Sequence, residues 1–328
     1  MTEAKTVDIF ELSDLCTPWC VHVAATLHVA NHIHAGAEKI EEIAARAGCN
    51  ADILHRVLGH LAAKGVFEEV QPGRFVINEA ARPLLDPNVR AGLDLDSIGG
   101  RMAHAWGTLL QFVRTGAPAY QEIFGKPFWE DLAANSRIAE DFDTIIGPGG
   151  HGIPNAEFDI VGGWDEVESV VDVGGGTGAM LAEILKLHPN LRGTLVDQPG
   201  TVIRSVKVFR EAGVVGRFTT SAQSFFDPLP RGADVYLLRG VINDWPDEEA
   251  LQILRRCADA ARPNGRVVVL KSVSPDGSPK DITIEMVLLG GKQRTLSEFI
   301  PLAEQAGLHV LMAGQQPSGY YVVEARPI

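Results

Sequence analysis

What the chain lacks narrows it first. It has no basic excess: 29 Lys and Arg stand against 42 Asp and Glu, for a formal net charge of −13. Nucleic-acid affinity is dominated by phosphate neutralisation, so this balance argues against nucleic acid as a partner, and equally against an anionic membrane surface. No stretch is apolar enough to span a bilayer. The first residues, MTEAKTVDIFE, lack the basic and apolar regions of a secretory signal, which predicts a cytoplasmic protein. Cysteine is scarce. Cys16, Cys20, Cys49 and Cys257 show no zinc-ribbon spacing and read as reduced thiols. Cys16, Cys20 and His22 invite a metal reading, but their neighbours carry helical periodicity and Pro18 lies between the cysteines. Buried free cysteine is common, so no metal site is expected.

What is present is ordinary globular material, 45% hydrophobic and 22% charged over 328 residues, enough for two domains and a large core. Residues 7 to 35 read as helix from the recurrence of Ile9, Leu12, Leu15, Val21, Ala24, Leu27 and Ile33. Lys39 to Ala47 is a short helix stopped by Gly48. Asn50 or Asp52 can cap the next helix, which ends at Gly65. Val66 to Val70 and Arg74 to Ile77 flank Gln71-Pro72-Gly73 as a hairpin. Helix-turn-helix plus hairpin is a winged helix, whose DNA-binding use must be weighed. The would-be recognition helix, ADILHRVLGHLAAK, offers only Arg56 and Lys64 as fixed cations, and its Leu54, Val57, Leu58 and Leu61 mark a packed face. Residues 1–95 are therefore expected as a winged-helix unit and 96–160 as a helical connector. Bulky residues of the connector, among them His104, Trp106, Phe142 and Ile146, would line a substrate pocket. Residues 161–328 alternate strand and helix as a doubly wound α/β domain, with a final antiparallel hairpin at one edge.

The chain is organised around Ser169 to Met180, SVVDVGGGTGAM. An apolar strand containing Asp172 runs into Gly174, Gly175, Gly176 and Gly178, and then into a helix. Glycine lets the backbone take positive φ and approach a ligand without a Cβ, and the following helix aims free N–H groups at it. A second strand ends in Asp197, whose carboxylate can take both hydroxyls of a ribose. Strand, glycine turn, helix and acid-ended strand together point to a nucleoside-bearing cofactor. Dinucleotide enzymes seat a pyrophosphate with G-x-G-x-x-G, and here D-V-G-G-G-T-G offers no further glycine for that cradle.

That motif resembles the first motif of S-adenosylmethionine (SAM) methyltransferases. With SFFDPLP at 224–230, ADVYLLRGVINDWPDEEALQILRRC from Ala233 and LGGKQRTLSEF from Leu289, nearly the whole chain resembles the SAM-dependent O-methyltransferases with an N-terminal winged-helix dimerisation domain. These include plant phenylpropanoid enzymes and bacterial enzymes that tailor aromatic polyketides. The resemblance implies a Rossmann-like cofactor domain and a homodimer in which the first helices of one subunit can wall the partner's pocket. It implies that Asp172, Gly174 and Gly176 lie against the cofactor, that Asp197 takes the ribose hydroxyls, that Ser224 and Phe225 flank the adenine, and that Arg239 stands where a lysine is common.

One expected group is missing. The family places a catalytic His before Asp-Trp, held by two glutamates. This chain has Asn243 before Asp244 and Trp245, and Lys271 and Gln293 where the glutamates would stand. An asparagine amide cannot act as a general base near neutral pH. Methyl transfer does not demand one, because in-line positioning in a dry pocket supplies much of the acceleration. Glu285, in the apolar run 282–289 beside Met286, is a candidate to face the pocket with Lys271 as its partner; an exposed helix residue is the other reading. Three functions fit these residues. One is a SAM-dependent methyltransferase working by proximity on a small, aromatic or secondary-metabolite acceptor. Another keeps fold and cofactor but performs hydroxylation, decarboxylation or a pericyclic step. The third is a winged-helix regulator that senses SAM.

Overall fold

The structure is a computed structural model that describes residues 7–147 and 151–328. The glycine-rich break expected at 147–152 thus falls partly outside the described residues. The chain divides into two units, residues 1–103 and 104–328. The stretch expected as a connector is split by that division, with 96–103 in the first unit and 104–160 in the second.

In the first unit, the long helix expected over 7–35 is three helices, Ile9–Leu12, Cys16–Thr26 and Val29–His34. Two local devices break it. The Asp14 carboxylate accepts from the N–H groups of Cys16 (2.8 Å) and Thr17 (3.3 Å), starting a fresh helix. His28 takes a left-handed φ of 50°, which turns the axis before Val29. Pro18 falls in the first turn of its helix, where its missing N–H costs nothing. Helices Ile40–Ala47 and Ala51–Ala63 follow, the second capped by Asn50 accepting from Ile53 N at 3.0 Å. Strands β1 (Glu68–Gln71) and β2 (Arg74–Val76) pair as the expected hairpin. Their core gathers Ile40, Ile43, Leu54, Leu58, Leu61, Phe67 and Phe75.

In the second unit, strands β3 (Ser169–Val173), β4 (Arg192–Asp197), β5 (Phe218–Ala222), β6 (Val235–Arg239) and β7 (Arg266–Leu270) run parallel. Two short strands, β8 (Val273–Ser274) and β9 (Arg294–Thr295), pair apart from them. Strands β10 (Leu308–Gln315) and β11 (Tyr321–Pro327) complete the main sheet antiparallel, in the order β10-β11-β7-β6-β3-β4-β5. The hairpin expected at one edge is therefore present. Its inner strand reads as a buried run, Val322, Val323, Glu324 and Ala325, because it is flanked on both sides. Helices cover both faces: Asp247–Ala261 and Leu296–Gln305 pack on one, Ala179–Leu187 on the other. The strand expected through Ser272 stops at Leu270. Lys271 takes φ 60°, leaving the sheet line, and Val273 begins the short pairing with Arg294. Strand order reverses between β4 and β6 on either side of β3. That reversal opens a crevice at the strands' carboxyl ends, where ligands bind in such sheets.

Candidate active site

The turn after β3 is built for close approach. Gly174, Gly176 and Gly178 have φ of 68°, 61° and 82°. A Cβ on Gly174 would lie 3.0 Å from Val241 and 3.3 Å from Phe225; one on Gly175 would lie 2.3 Å from Asp172 Oδ2. Gly174 and Gly178 are thus required by packing as well as by dihedral, Gly175 by packing and Gly176 by dihedral. Asp172 is 1% exposed, and neither of its carboxylate oxygens has a hydrogen-bond partner. Burial pushes its pKa up to about 7, opposed by the Arg239 guanidinium and assisted by the charge of Asp197. Arg239 ends β6, and its buried Nε is also without a partner. Its guanidinium lies 6.0 Å from the Tyr320 ring, and Lys271 Nζ lies 5.9 Å from the same ring. Burial, then Arg239, lowers the Lys271 pKa.

Asp197 ends β4. Its carboxylate accepts from Gly176 N at 2.8 Å and Gln198 N at 2.7 Å. Burial nevertheless raises its pKa to about 6, with those two bonds working against the rise and Asp143 adding to it. Asp143 and Arg204 carry no mark in the sequence. They form an ion pair at 2.5 Å between the helices Ser136–Ile146 and Pro199–Glu211, close enough for both charges to act on Asp197. Nothing in their local spacing singles them out, since the two helices are far apart in sequence. In the loop after β5, Ser224 Oγ accepts from Phe226 N at 3.2 Å. Phe225 packs edge-on to Trp245, with ring centroids 5.9 Å apart. Asp172, Gly174, Gly176, Asp197, Phe225 and Arg239 are thereby brought to one end of the sheet. Orphaned buried oxygens, an unpartnered guanidinium nitrogen and a turn with no room for a Cβ at Gly174 or Gly175 fit a charged nucleoside cofactor.

The second turn, Ile242–Asp244, follows β6. Asn243 Oδ1 accepts from Ser272 Oγ at 2.7 Å, and Asn243 Nδ2 donates to Asp244 Oδ1 at 3.2 Å. Burial first, and then the Glu285 carboxylate, push the Asp244 pKa up to about 8. Glu285 itself is exposed on the helix Ile284–Leu289, with Met286 partly buried beside it. Among the described residues no ion pair joins Glu285 to Lys271, which lies over Tyr320 instead. Gln293 is exposed, while its neighbour Arg294 is fully buried. Arg294 donates to the carbonyls of Ile242 (2.7 Å), Trp245 (2.9 Å) and Lys292 (3.0 Å), and its guanidinium pairs with Asp247 at 2.7 Å. It is the fastener of the Asn243 turn, whereas the sequence draws the eye to Gln293. No local signal marks it, because its burial and two of its carbonyl partners are supplied by a segment some 50 residues earlier.

Of the other expected pocket residues, Phe142 packs edge-on to Phe128 and Trp129, with centroids at 5.5 and 5.7 Å. His104 lies edge-on to Phe124 at 6.5 Å. Trp106 and Ile146 are exposed.

A doubly wound sheet, a glycine turn after its switch-point strand and an acid ending the next strand define a nucleoside-cofactor-binding α/β enzyme of the methyltransferase type. Comparison with known proteins narrows the class. An O-methyltransferase domain matches residues 106–309, and an O-methyltransferase dimerisation domain matches residues 10–87. The chain belongs to the SAM-dependent O-methyltransferase family, and SAM is its cofactor. It is 40% identical over 321 residues to a 2,7-dihydroxy-5-methyl-1-naphthoate 7-O-methyltransferase of Streptomyces carzinostaticus, covering 94% of this chain and 95% of that one. It is 38% identical to the aclacinomycin 10-hydroxylase RdmB of Streptomyces purpurascens, over 94% of this chain and 85% of that one. Among solved structures it is similar to the O-methyltransferase NcsB1 from neocarzinostatin biosynthesis, in complex with SAM and 2-hydroxy-5-methyl naphthoic acid. There the TM-score is 0.88 at 39% identity, covering 99% of this chain and 100% of that one. Among the described residues no helix is long and apolar enough to cross a membrane.

Proposed function

We propose that this enzyme methylates a hydroxyl of a small polycyclic aromatic acid by positioning, without a histidine base. The observation that carries the reading is the wiring of Asn243. Its amide oxygen is taken by Ser272, and one amide hydrogen goes to Asp244. What remains is a second N–H, a donor that can hold an oxygen anion and cannot take a proton. Asp244, with its pKa raised to about 8, is mostly protonated at neutral pH and is equally unsuited to be a base there. The phenol therefore ionises by its own acidity, and Asn243 orients and stabilises the phenolate. SAM supplies an electrophilic methyl on sulfur. Asp197 would take the ribose hydroxyls, Gly174 and Gly176 would lie against the methionine and ribose parts with Asp172 beside them, and Ser224, Phe225 and Arg239 would stand at the adenine. His104, Trp106, Phe142, Ile146 and Met286 remain the proposed acceptor lining. Similarity to a naphthoate methyltransferase and to a structure holding a naphthoic acid supports the acceptor class. The dimerisation domain supports a homodimer. A cytoplasmic setting without nucleic-acid or membrane partners belongs to the same reading and rests on the net charge of −13. Light scattering should give about twice the 35.3 kDa chain mass.

The test is a pH–rate series with hydroxynaphthoates of graded phenol acidity. Positioning predicts an ascending limb that moves with the acceptor's own pKa. A limb fixed across acceptors, and abolished in Glu285→Gln, would show a relocated protein base instead. The similarity to a hydroxylase supports a second reading, in which fold and cofactor serve another step. A labelled methyl group appearing on the product removes it.

A further inference from the structure

Outside the methyltransferase site, the first unit holds a cluster whose chemistry its own packing does not explain. Cys16 and Cys20 are four residues apart on the helix Cys16–Thr26, so their side chains share one face. Their sulfurs lie 3.9 Å apart. The ring of His60, from the helix Ala51–Ala63, reaches the same spot, and ligand atoms of all three residues lie within 4.8 Å of one another. Packing accounts for Cys20, which is 9% exposed, but not for Cys16, which is exposed and fills no core. We propose that Cys16, Cys20 and His60 form a zinc site that ties the helix Cys16–Thr26 to the helix Ala51–Ala63.

The geometry suits that ion. Zinc bonds thiolate sulfur at about 2.3 Å, and a tetrahedral edge at that length separates two sulfurs by about 3.8 Å, against the 3.9 Å found. Two thiolates and an imidazole are a soft-to-borderline donor set that selects zinc over magnesium or calcium. Supporting groups are in place. His60 Nε2 lies 2.8 Å from Thr17 Oγ1, and Thr17 donates to Asp14 Oδ2 at 2.6 Å. A hydroxyl and a carboxylate thus stand behind the imidazole, the arrangement that orients ligating histidines. Asp14 is itself fixed by the N–H groups of Cys16 and Thr17, and its carboxylate lies 3.6 Å from Lys64 Nζ. Water completes the coordination from the exposed Cys16 side. The ion replaces two thiol protons, so binding releases protons and strengthens as pH rises. The local sequence sets His22 beside the two cysteines, but His22 Nδ1 lies 2.7 Å from the Leu93 carbonyl, and the third donor is His60, some 40 residues on.

The experiment uses the full-length, freshly reduced protein. Zinc affinity is measured by competition with a chromophoric chelator, and cobalt substitution reads the donor set. One ion per chain is expected, with intense red d–d bands and a sulfur-to-cobalt charge-transfer band. Cys16→Ser should cut the charge-transfer intensity per bound cobalt to roughly half, one thiolate of two remaining, and weaken zinc by more than the roughly 10–100-fold that loss of a supporting partner costs. Its position is exposed, so it keeps the test decisive if Cys20→Ser fails to fold. His60→Gln should weaken zinc similarly, and Cys49→Ser, outside the cluster, should change nothing. A cobalt complex without the sulfur band, or unchanged zinc affinity in Cys16→Ser, would overturn the proposal.

Discussion

Two turns leave neighbouring parallel strands at the same end of the sheet, one after β3 and one after β6, and they handle polar groups in opposite ways. After β3 the polar groups are left over. Both Asp172 oxygens are buried without partners, and the glycines keep the backbone clear for a ligand. After β6 most of the polar groups are used, and one Asn243 N–H is left over. Asn243 is bonded to Ser272 and Asp244, and Arg294 binds three carbonyls from beneath. A turn with spare buried charge is poised to bind a charged ligand. A turn whose groups already bond each other is poised to hold a shape. The first suits a cofactor, and the second suits an acceptor that must be aimed rather than deprotonated.

That contrast breaks most readily on the cofactor side, where the effects are largest. Asp197→Ala removes charge-assisted bonds to the ribose and should weaken SAM binding by on the order of 1.5–3 kcal/mol, about ten- to over a hundredfold by calorimetry. Unchanged affinity would take Asp197 out of the cofactor site. Gly175→Ala should destabilise the fold by about 1–3 kcal/mol in thermal denaturation, because its Cβ would meet Asp172 at 2.3 Å and Leu195 at 2.6 Å. Gly216→Ala, with nothing within 4 Å, is the control expected to be near neutral.

On the second turn the effects should be smaller. Asn243→Ala removes one donor to the phenolate, so turnover should fall by about tenfold, the low end for a hydrogen bond to a charged group of about 1.5–3 kcal/mol. Ser272→Ala should do less again, since it only fixes the amide's orientation. A thousandfold loss in either would mean that the turn carries chemistry and not aim. A separate test is a pH trend in the cofactor-free protein. Asp197, Asp172 and Asp244 have folded pKa values raised to about 6, 7 and 8, from the usual 3.8. Between 3.8 and those values the folded state binds more protons than the unfolded one, so these groups make stability fall as pH rises from about 5 to 8. Thermal midpoints should follow that slope, and Asp172→Asn should flatten it. A midpoint rising through that range would show that other titrating groups of the fold outweigh the leftover charge after β3.

Much of the cofactor half was legible in sequence because its signals are local. The run VVDVGGGTG carries strand, turn and helix start within a dozen residues, and Asp197 closes the next strand. The acceptor half was legible only as a set of departures: Asn243, Lys271 and Gln293 stand at readable positions, but their bonding does not follow from spacing. Gln293 turned outward and Arg294 inward because Asp247 and three carbonyls converge on one buried point, two of the carbonyls from a segment some 50 residues earlier. Asp143 and Arg204 met for the same kind of reason, each on a helix whose own pattern shows only an amphipathic face.

Local sequence was enough for the two-part organisation, the doubly wound sheet and the nucleoside cofactor, because hydrophobic period and glycine dihedrals act between near neighbours. Which carboxylates lost their water, and which polar groups found partners, was settled only once the chain had folded on itself. Desolvation and hydrogen bonding depend on what distant segments bring to the same point, and so burial raises the Asp244 pKa, Ser272 holds the Asn243 amide, and Cys16 meets His60.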